Sequence, residues 1–521
     1  MKKLIALTTT LAAWLTLSAH AQPTTLYWDP TFTGSTNGGG AGTWNFSALQ
    51  WFNGTANVVW TNDGSCRAVF GGTNGGQVQV ASGLIIEAHS LEVNTPGYFF
   101  TGGGTRRMTV HSGIIQANAD FAINMIITNP PSATNLVGII KTGPGRLRFG
   151  VGNNTFQGGL TVLEGTVVIT NKQQIGAEGG PLIVNGGTVE LGDSDTVSGR
   201  ILYIGDNGAT FYVQYDTNTW IWQLPRATNG AIVKLGPGAI RFGFAGGTMT
   251  NVSGGTGPVT IHEGSLFAQT SVGSSIGTGP VFVNTNGTLA GPGLVGGHVT
   301  VKGRLSPSIG GTGANNLRNM TLANGLTMND GGTYLWDLLA LVDDATGQAG
   351  IDYDRVTVTN GNLTLGGTSK LSIRFGGTAS DPDSGNPFWT NSHTWTVILV
   401  TNTAANPGGS NFALLENAVY TAGSFSTSVA PDGSIRLHYT PGGAPPPVPP
   451  HIQTIINQGR TNVLLTWTSE AGRTYQVQFN TNIATTNWTA LTNIVATGAL
   501  TTVADTAAAA PARFYRVVVL P

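Results

Sequence analysis

Charged side chains are scarce in this sequence. They make up 9% of the 521 residues, against roughly 25% in an average soluble protein. The formal net charge is -1 at pH 7. A protein that binds nucleic acid through its phosphates needs a surplus of Lys and Arg, which this chain lacks. We therefore predict no nucleic-acid partner.

Cysteine and long apolar runs are also scarce. Cys66 is the single cysteine, so no disulfide can form within the chain, and we expect it to be a small buried core residue. After the N-terminal segment, no stretch approaches the roughly 18 uninterrupted apolar residues typical of a membrane-spanning helix. The sequence therefore predicts no membrane span.

The N-terminus has the pattern of a secretory signal peptide. Two lysines precede a short apolar segment that ends at Leu17, and Ala19 and Ala21 match the small-residue pattern of a cleavage site. We predict that residues 1–21 are removed and that the remainder is exported. The expected location is extracellular or at the cell surface, with the periplasm as an alternative.

Glycine, in contrast, is abundant, and part of the sequence occurs twice. The 76 glycines are about double the usual share of roughly 7%. Residues 141–150 are KTGPGRLRFG and residues 234–243 are KLGPGAIRFG. Strand-like runs follow both, namely GGLTVLEGTVVIT at 158–170 and GTGPVTIHEGSLF at 255–267. Duplicated strand-turn units predict an all-β solenoid, in which each winding buries its apolar face against the next.

Composition changes along the chain predict four segments after the signal peptide. Residues 22–130 are rich in aromatics and are expected to form a cap and the first coils. Residues 131–440 contain short apolar runs separated by Gly, Asn, Asp or Pro, which predicts the main β-helix. Residues 441–450 (PGGAPPPVPP) form a proline-rich linker. Residues 451–521 contain several short strands, which favours a small β-sandwich of the immunoglobulin or fibronectin type III kind.

The repeated unit resembles the autotransporter-associated β-strand repeat, also called the passenger-associated transport repeat, of exported bacterial proteins. Residues 141–149 (KTGPGRLRF), 153–162 (NNTFQGGLTV) and 164–167 (EGTV) correspond to its signature, and the second copy keeps Lys234 and the Glu-Gly pair at 263–264. The resemblance implies a right-handed parallel β-helix with structural, adhesive or surface roles. It transfers no catalytic residue and no cofactor, because the shared positions are turns and core positions.

One stretch departs from the repeat pattern. Residues 334–339 (YLWDLL) lead into an acidic, Ala- and Gly-rich passage that ends at Gly350. A short helix or a loop outside the solenoid fits this composition, and so does another strand. The sequence leaves this choice open.

Four tryptophans lie within one short stretch, namely Trp28, Trp44, Trp51 and Trp60. One end of a solenoid needs a cap, since an open end exposes both core and unpaired backbone, so these side chains fit a cap core. The alternative is a carbohydrate-stacking platform, because several aromatic faces on one exposed surface bind sugar rings. The exposure of the indole faces decides between the two interpretations.

Asp352 and Asp354 are the better candidates for acid/base chemistry. On a strand, they would share one face with side chains about 6.6–7 Å apart, which suits sugar chemistry, although a structural turn fits them as well.

A G-x-S-x-G pattern around Ser275 lacks the strand-turn-helix setting of a nucleophile elbow. The histidines are too scattered for a zinc site. We therefore predict no catalytic, cofactor-binding or metal site.

Three functions are compatible with these patterns. The first is an exported structural or interaction protein, an adhesin-like or stalk-like β-helix without catalytic activity, with extracellular polysaccharide or cell-surface components as partners. The second is a β-helix polysaccharide lyase or hydrolase that uses Asp352 and Asp354. The third is a non-catalytic carbohydrate-binding protein.

Overall fold

The structure is a computed structural model, and it describes most of the chain after the signal segment. The described residues are 22–104, 106–130, 137–217, 219–243, 255–269, 274, 276–308, 319–328, 330–442, 449–459, 461–506 and 512–520. The predicted signal peptide (1–21), most of the proline-rich linker (443–448) and Ser275 lie outside these residues.

The described chain consists almost entirely of β-strands, which confirms the all-β prediction. The strands before the first helical turn are Thr24–Trp28 (β1), Gly42–Trp44 (β2), Trp51–Phe52 (β3), Asn57–Val58 (β4), Cys66–Phe70 (β5), Gln77–Val80 (β6), Ile85–Ala88 (β7), Ser90–Val93 (β8), Tyr98–Thr101 (β9), Arg107–Val110 (β10), Ile114–Ala117 (β11), Phe121–Asn124 (β12), Ile126–Thr128 (β13), Ile139–Thr142 (β14), Arg146–Phe149 (β15), Leu160–Val162 (β16) and Thr166–Ile169 (β17). The next strands are Leu182–Val184 (β18), Thr188–Leu191 (β19), Asp195–Ile204 (β20), Ala209–Val213 (β21), Thr219–Ala227 (β22), Ile232–Leu235 (β23), Ala239–Gly243 (β24), Val259–Gln269 (β25), Val281–Ala290 (β26), Leu294–Val295 (β27), Val299–Val301 (β28), Arg304–Ser306 (β29), Asn319–Leu322 (β30), Leu326–Thr327 (β31), Thr333–Leu338 (β32), Arg355–Val358 (β33), Leu363–Thr364 (β34) and Lys370–Phe375 (β35). The last strands are His393–Val400 (β36), Leu414–Glu416 (β37), Val419–Tyr420 (β38), Gly423–Val429 (β39), Ile435–Pro441 (β40), Ile452–Asn457 (β41), Val463–Thr468 (β42), Thr474–Asn480 (β43), Thr489–Val495 (β44), Leu500–Asp505 (β45) and Phe514–Val519 (β46).

Helical structure in the described residues is limited to two 3₁₀ turns, Lys172–Ile175 and Pro387–Thr390. Each begins after an asparagine whose side-chain oxygen accepts a hydrogen bond from a backbone N–H of the turn, as N-cap residues do. No helix in this part of the chain has the length and apolar character needed to cross a membrane.

The chain folds into two compact units. The first contains the residues up to Asp381 together with Thr394–Asn417 and Ser426–His438. The second contains Pro382–His393, Ala418–Phe425 and the residues from Tyr439 onward.

Parallel pairing between successive windings builds the first unit, which confirms the predicted parallel solenoid. One stack contains β2, β6, β9, β12, β15, β17, β19, β21, β23, β25, β26, β28, β31 and β34. A second contains β1, β5, β8, β11, β14, β16, β18, β20 and β22. A third contains β22, β24, β25, β26, β29, β32, β35 and β37. The shorter stacks β7–β10–β13 and β27–β30–β33–β36 complete the windings.

The core of the solenoid consists of apolar side chains in register. Leu160, Leu182 and Leu202 are aligned in β16, β18 and β20, and each is fully buried. Alternation explains this arrangement, because successive side chains of a strand point to opposite faces and one face of every winding is interior. The middle residue of β16, Thr161, is accordingly only partly buried.

The stretch at 334–339, which the sequence left undecided, begins as a strand. β32 pairs with β35 along six residues, from Thr333 to Leu338. Tyr334, Trp336 and Leu338 are buried and their neighbours are partly exposed, so the strand follows the same alternation as the rest of the solenoid.

The second unit contains two antiparallel three-stranded sheets after the linker. One has the order β41-β42-β45 and the other β44-β43-β46. Leu465, Trp467, Tyr475 and Val477 are completely buried and form one cluster. The hydroxyl of Tyr475 accepts a hydrogen bond from the backbone N–H of Glu470 (2.8 Å), so the one polar atom of this buried ring has a partner.

We predict that Leu182→Ala lowers the free energy of unfolding of the first unit by about 2–5 kcal/mol, the usual cost of removing a buried leucine side chain. Leu182 is fully buried, whereas Leu163, 39% exposed, lies outside the core. Leu163→Ala is the matched control and should change stability by less than about 0.5 kcal/mol. Urea unfolding of both variants measures the difference. Equal effects would contradict the assignment of Leu182 to the interior of the solenoid and of Leu163 to its outside.

Candidate functional site

The four clustered tryptophans are buried, so the carbohydrate-stacking interpretation is wrong for them. Trp28, Trp44, Trp51 and Trp60 are at most 2% exposed. They pack on one another, with ring centroids 5.1 Å apart for Trp28 and Trp51 and 4.6 Å apart for Trp51 and Trp60. A sugar ring needs a free aromatic face, and neighbouring indoles occupy these faces. The cluster is a core at the first winding.

The strands at this first winding explain why the indoles are enclosed. β1 pairs in parallel with β5 on one side and antiparallel with β3 on the other, where Trp28 lies opposite Trp51. β3 also pairs antiparallel with β4. The chain therefore folds back over the beginning of the solenoid and covers both the strand edge and the apolar interior.

Asp29 fixes the loop that follows β1. Its buried carboxylate accepts hydrogen bonds from Thr33 N (2.9 Å), Thr33 Oγ1 (2.8 Å), Gly34 N (2.8 Å) and Asn57 Nδ2 (2.9 Å). Burial alone raises the pKa of this carboxyl, but the hydrogen bonds outweigh burial and hold the pKa below its usual value. Asp29 therefore remains ionised and acts as a loop anchor.

The expected strand pair of carboxylates is not present. Asp352 and Asp354 lie in a turn before β33 and not on a strand. Asp352 accepts a hydrogen bond from the backbone N–H of Gln348 (2.7 Å), while Asp354 is fully buried and accepts one from the backbone N–H of Asp337 (3.3 Å). The period-two argument failed because the local chain turns at these residues. Both carboxylates hold backbone in place.

Two buried lysines occupy equivalent corners of the repeated unit. Lys141 is completely buried, and its ammonium donates to the carbonyl oxygens of Thr142 (3.0 Å), Gly143 (2.6 Å) and Glu164 (2.9 Å). The first two carbonyls belong to the same winding as the lysine and the third belongs to the next. The side chain therefore joins two windings through three hydrogen bonds.

The second copy reproduces this geometry. Lys234 is also completely buried and donates to the carbonyl oxygens of Leu235 (2.7 Å), Gly236 (2.7 Å) and Glu263 (3.0 Å). Sequence analysis identified the shared lysine and the Glu-Gly pair but did not predict that they touch. Their recurrence in both copies was the available signal.

The glycine of each Glu-Gly pair is required by close backbone approach. Gly165 has φ of +63°, and a Cβ on it would lie 2.5 Å from the carbonyl oxygen of Gly143. Gly264 has φ of +66°, and its Cβ would lie 2.5 Å from the carbonyl oxygen of Gly236 and 2.3 Å from that of Gly238. These corners stack directly on the Gly-Pro-Gly turns of the preceding winding, where only glycine fits.

Burial changes the protonation of both lysines. It lowers the pKa of Lys141 to about 8 and that of Lys234 to about 7, and the carboxylates of Glu164 and Glu263 oppose the change in part. A buried lysine with a lowered pKa is a feature of some catalytic sites. Here the two ammonium groups donate to backbone carbonyls, so their role is architectural.

An open groove lies on the outward side of the third stack. Its volume is about 450 Å³. It is lined by Ser265, Phe267, Thr288, Ala290, Arg304, Ser306, Ser308, Leu335 and Arg374. The lining contains two guanidinium groups, of which that of Arg374 is paired with the carboxylate of Asp337, so Arg304 is the group that attracts negative charge. Sequence analysis did not find this surface.

A smaller cavity of about 160 Å³ lies near Arg200. The buried guanidinium of Arg200 donates to the carbonyl oxygens of Gly176 (3.0 Å), Ala177 (2.8 Å) and Gly180. These bonds connect Arg200 to the turn after Lys172–Ile175, so this cation is used in the fold.

Other reactive side chains are dispersed. Within the described ranges, no group of three or more His, Cys, Asp or Glu residues is placed to hold a metal ion. Cys66 is a free, buried thiol, as predicted, and burial raises its pKa. It therefore has little thiolate character.

Comparisons with known proteins found a match to a repeat family and a similarity to an adhesin. Residues 139–169 match the passenger-associated-transport-repeat family, which is the segment that contains Lys141 and its carbonyl partners. The chain is 24% identical over 385 residues to the adhesin BmaC autotransporter of Brucella suis biovar 1 (strain 1330). That alignment covers 68% of this chain and 11% of the adhesin, so the chain corresponds to a small part of that relative's length.

We predict that Lys234 makes stability depend on pH between about 7 and 10.5. The pKa of Lys234 is about 7 in the folded state, against an ordinary value of 10.5. Within this window the unfolded chain binds more protons, so the unfolding free energy of the native protein should rise with pH relative to Lys234→Met. Thermal unfolding at pH 7, 8.5 and 10 measures the difference. Lys302→Met, which removes a half-exposed lysine, is the control, and a difference that is flat or falls with pH would contradict the lowered pKa of Lys234.

We also predict that Gly264→Ala destabilises the protein by about 1–3 kcal/mol more than Gly104→Ala, because only the first substitution creates a steric overlap. Both glycines have φ of +66°, but a Cβ on Gly104 meets no atom within 4 Å. Because the two glycines have the same φ, the comparison of the two variants separates the cost of steric overlap from the cost of backbone strain. Denaturant unfolding of the two variants gives the comparison, and equal losses would indicate that the windings are not in contact at this corner.

Proposed function

We propose that this chain is an exported, non-enzymatic protein of adhesin-like function. Its solenoid presents side chains from successive windings to extracellular polysaccharide or to components of a cell surface. The observation that carries the proposal is the 385-residue similarity to an autotransporter adhesin. The match at residues 139–169 to a repeat named for passenger-associated transport supports export.

The use of polar residues inside the fold supports a structural role for the repeat itself. Lys141 and Lys234 connect windings, and the carboxylates of Asp352 and Asp354 accept hydrogen bonds from backbone N–H groups. These residues are occupied by architecture, so they offer no assembled acid/base pair for the lyase or hydrolase alternative. Binding then depends on side chains that point out of the solenoid.

We extend the proposal to the chain's organisation. Residues 1–21 act as a cleaved signal, 22–130 as cap and first coils, 131–440 as the main β-helix and 441–450 as a linker. The helix is right-handed, because parallel crossover connections in one sheet are right-handed in about 98% of cases. The module at 451–521 is an immunoglobulin- or fibronectin type III-like sandwich, which two three-stranded antiparallel sheets around one buried cluster support.

An adhesion assay tests the function. Beads coated with the full purified chain should be retained by cultured cells or by immobilised acidic and neutral polysaccharides at several times the level of albumin-coated beads. The same polysaccharides should yield no cleavage products when incubated with the soluble protein. Retention equal to that of albumin would contradict an adhesin-like role. Cleavage that is lost in Asp354→Asn would contradict the non-enzymatic assignment and favour the lyase or hydrolase.

A further inference from the structure

The outward face of the third stack has a regular row of side chains interrupted by a depression. Phe267, Ala290 and Ser306 occupy successive windings, because Phe267 pairs with Ala290 and Ala290 pairs with Ser306. Leu335 follows in the next winding, since it comes directly after Tyr334, which pairs with the residue before Ser306. The side chains of this row are therefore large at Phe267, small at Ala290 and Ser306, and large again at Leu335. The two small side chains form the floor of the groove, and the two bulky side chains form its ends.

The neighbouring row supplies polar groups along the same groove. Ser265 pairs with Thr288, and Thr288 pairs with Arg304. Buried Leu266, Leu289 and Leu305 alternate with these residues and point to the interior. The hydroxyls and the guanidinium consequently face outward, where hydroxyl groups can both donate and accept hydrogen bonds.

Arg304 supplies the positive charge of this groove. Arg304 is exposed and has no carboxylate partner among the described residues. Arg374 is held by Asp337, with Nε 2.7 Å from Oδ1 and Nη2 2.7 Å from Oδ2. The guanidinium of Arg241 lies 4.1 Å from the ring centroid of Phe267 at the other end of the row. Arg304 is thus the exposed cation of the groove, and the charge of Arg374 is offset by Asp337.

The size and direction of the groove favour a chain-like ligand. Phe267 and Arg374 are on β25 and β35, which are four windings apart through β26, β29 and β32. At about 4.8 Å for each step between neighbouring strands, this corresponds to roughly 19 Å. An open surface of this length suits several units of a linear polymer better than one small molecule.

We propose that this groove binds an acidic polysaccharide, whose carboxylate or sulfate groups pair with Arg304 and whose hydroxyls bond to Ser265 and Thr288. Guanidinium groups bind planar and tetrahedral oxyanions through paired hydrogen bonds. The apolar part of Phe267 provides a contact for the C–H face of a sugar ring. This inference rests on the proposed adhesin-like function and specifies the ligand class and the surface.

The test measures binding of the full chain to three immobilised polymers at about 0.15 M salt, where surface charges more than about 8 Å apart are largely screened. Polygalacturonate carries carboxylates, dextran sulfate carries sulfates and dextran is neutral. Binding to either charged polymer and not to dextran is expected, and the one bound more tightly identifies the anionic group. Equal binding to all three, or binding to none, would overturn the proposal.

Substitutions locate the binding site. Arg304→Ala should weaken binding roughly tenfold, because a charge-assisted hydrogen bond is lost. Ala290→Phe should weaken it by filling the depression. Arg148→Ala removes another exposed arginine, from β15 and outside the groove, and should leave binding unchanged. Thermal unfolding checks that each variant is folded. Similar affinities of Arg304→Ala and Arg148→Ala for the polymer would show that binding depends on overall charge, and would overturn the assignment of the binding site to the groove.

The outcome also separates this inference from the broader function. Beads that adhere equally well with wild-type protein and with Arg304→Ala would leave the adhesin-like role intact and refute the groove. Polymer binding that depends on Arg304 in a protein whose beads are not retained by cultured cells would support the groove and refute adhesion to cell surfaces.

Discussion

The contact between a buried lysine ammonium and three backbone carbonyls is the interaction on which the repeated unit depends. A parallel solenoid joins its windings mainly by strand pairing, and this pairing stops at the corners, where the chain turns. Lys141 and Lys234 restore a connection there, since each binds two carbonyls of its own winding and one of the next. The glycine that follows the third carbonyl allows the two corners to approach closely. The recurrence of the Lys-x-Gly-Pro-Gly turn and of the Glu-Gly pair in both copies therefore has one physical cause, although 23 residues separate Lys141 from Glu164 and 29 separate Lys234 from Glu263.

This architecture divides the side chains into two sets with different tasks. Those that point inward, such as Leu160, Leu182 and Leu202, maintain the register between windings. Those that point outward are free of that constraint, and they form rows because equivalent positions of successive strands are adjacent. A binding surface can arise in such a row wherever small residues interrupt large ones, as Ala290 and Ser306 do between Phe267 and Leu335. The proposed function uses the outer rows and leaves the interior unchanged.

Much of the fold was predictable, whereas most of the surface was not. Glycine turns and short apolar runs predicted the all-β class, and the duplicated motif predicted a solenoid, because these are local signals. The parallel arrangement was implied by the resemblance to the transport repeat. The exposure of Trp44 or Trp51 depends on strands β3 and β4 folding back, which no local pattern reveals. Of the two interpretations of Asp352 and Asp354, the strand placement was wrong because the chain turns at these residues, and the structural turn fits. The groove combines residues from five strands, and its detection requires the register between windings, which varies along the chain.

The pairing at the first winding has a consequence for self-association. A solenoid strand with a free edge is a template for another copy of the same chain, and unlimited addition would give filaments. Here β1 already has a partner on each side, β5 in one direction and β3 in the other. Because antiparallel β3 occupies the edge of β1 at Tyr27 and Trp28, a parallel strand of a second copy cannot add there, which disfavours head-to-tail polymerisation through β1.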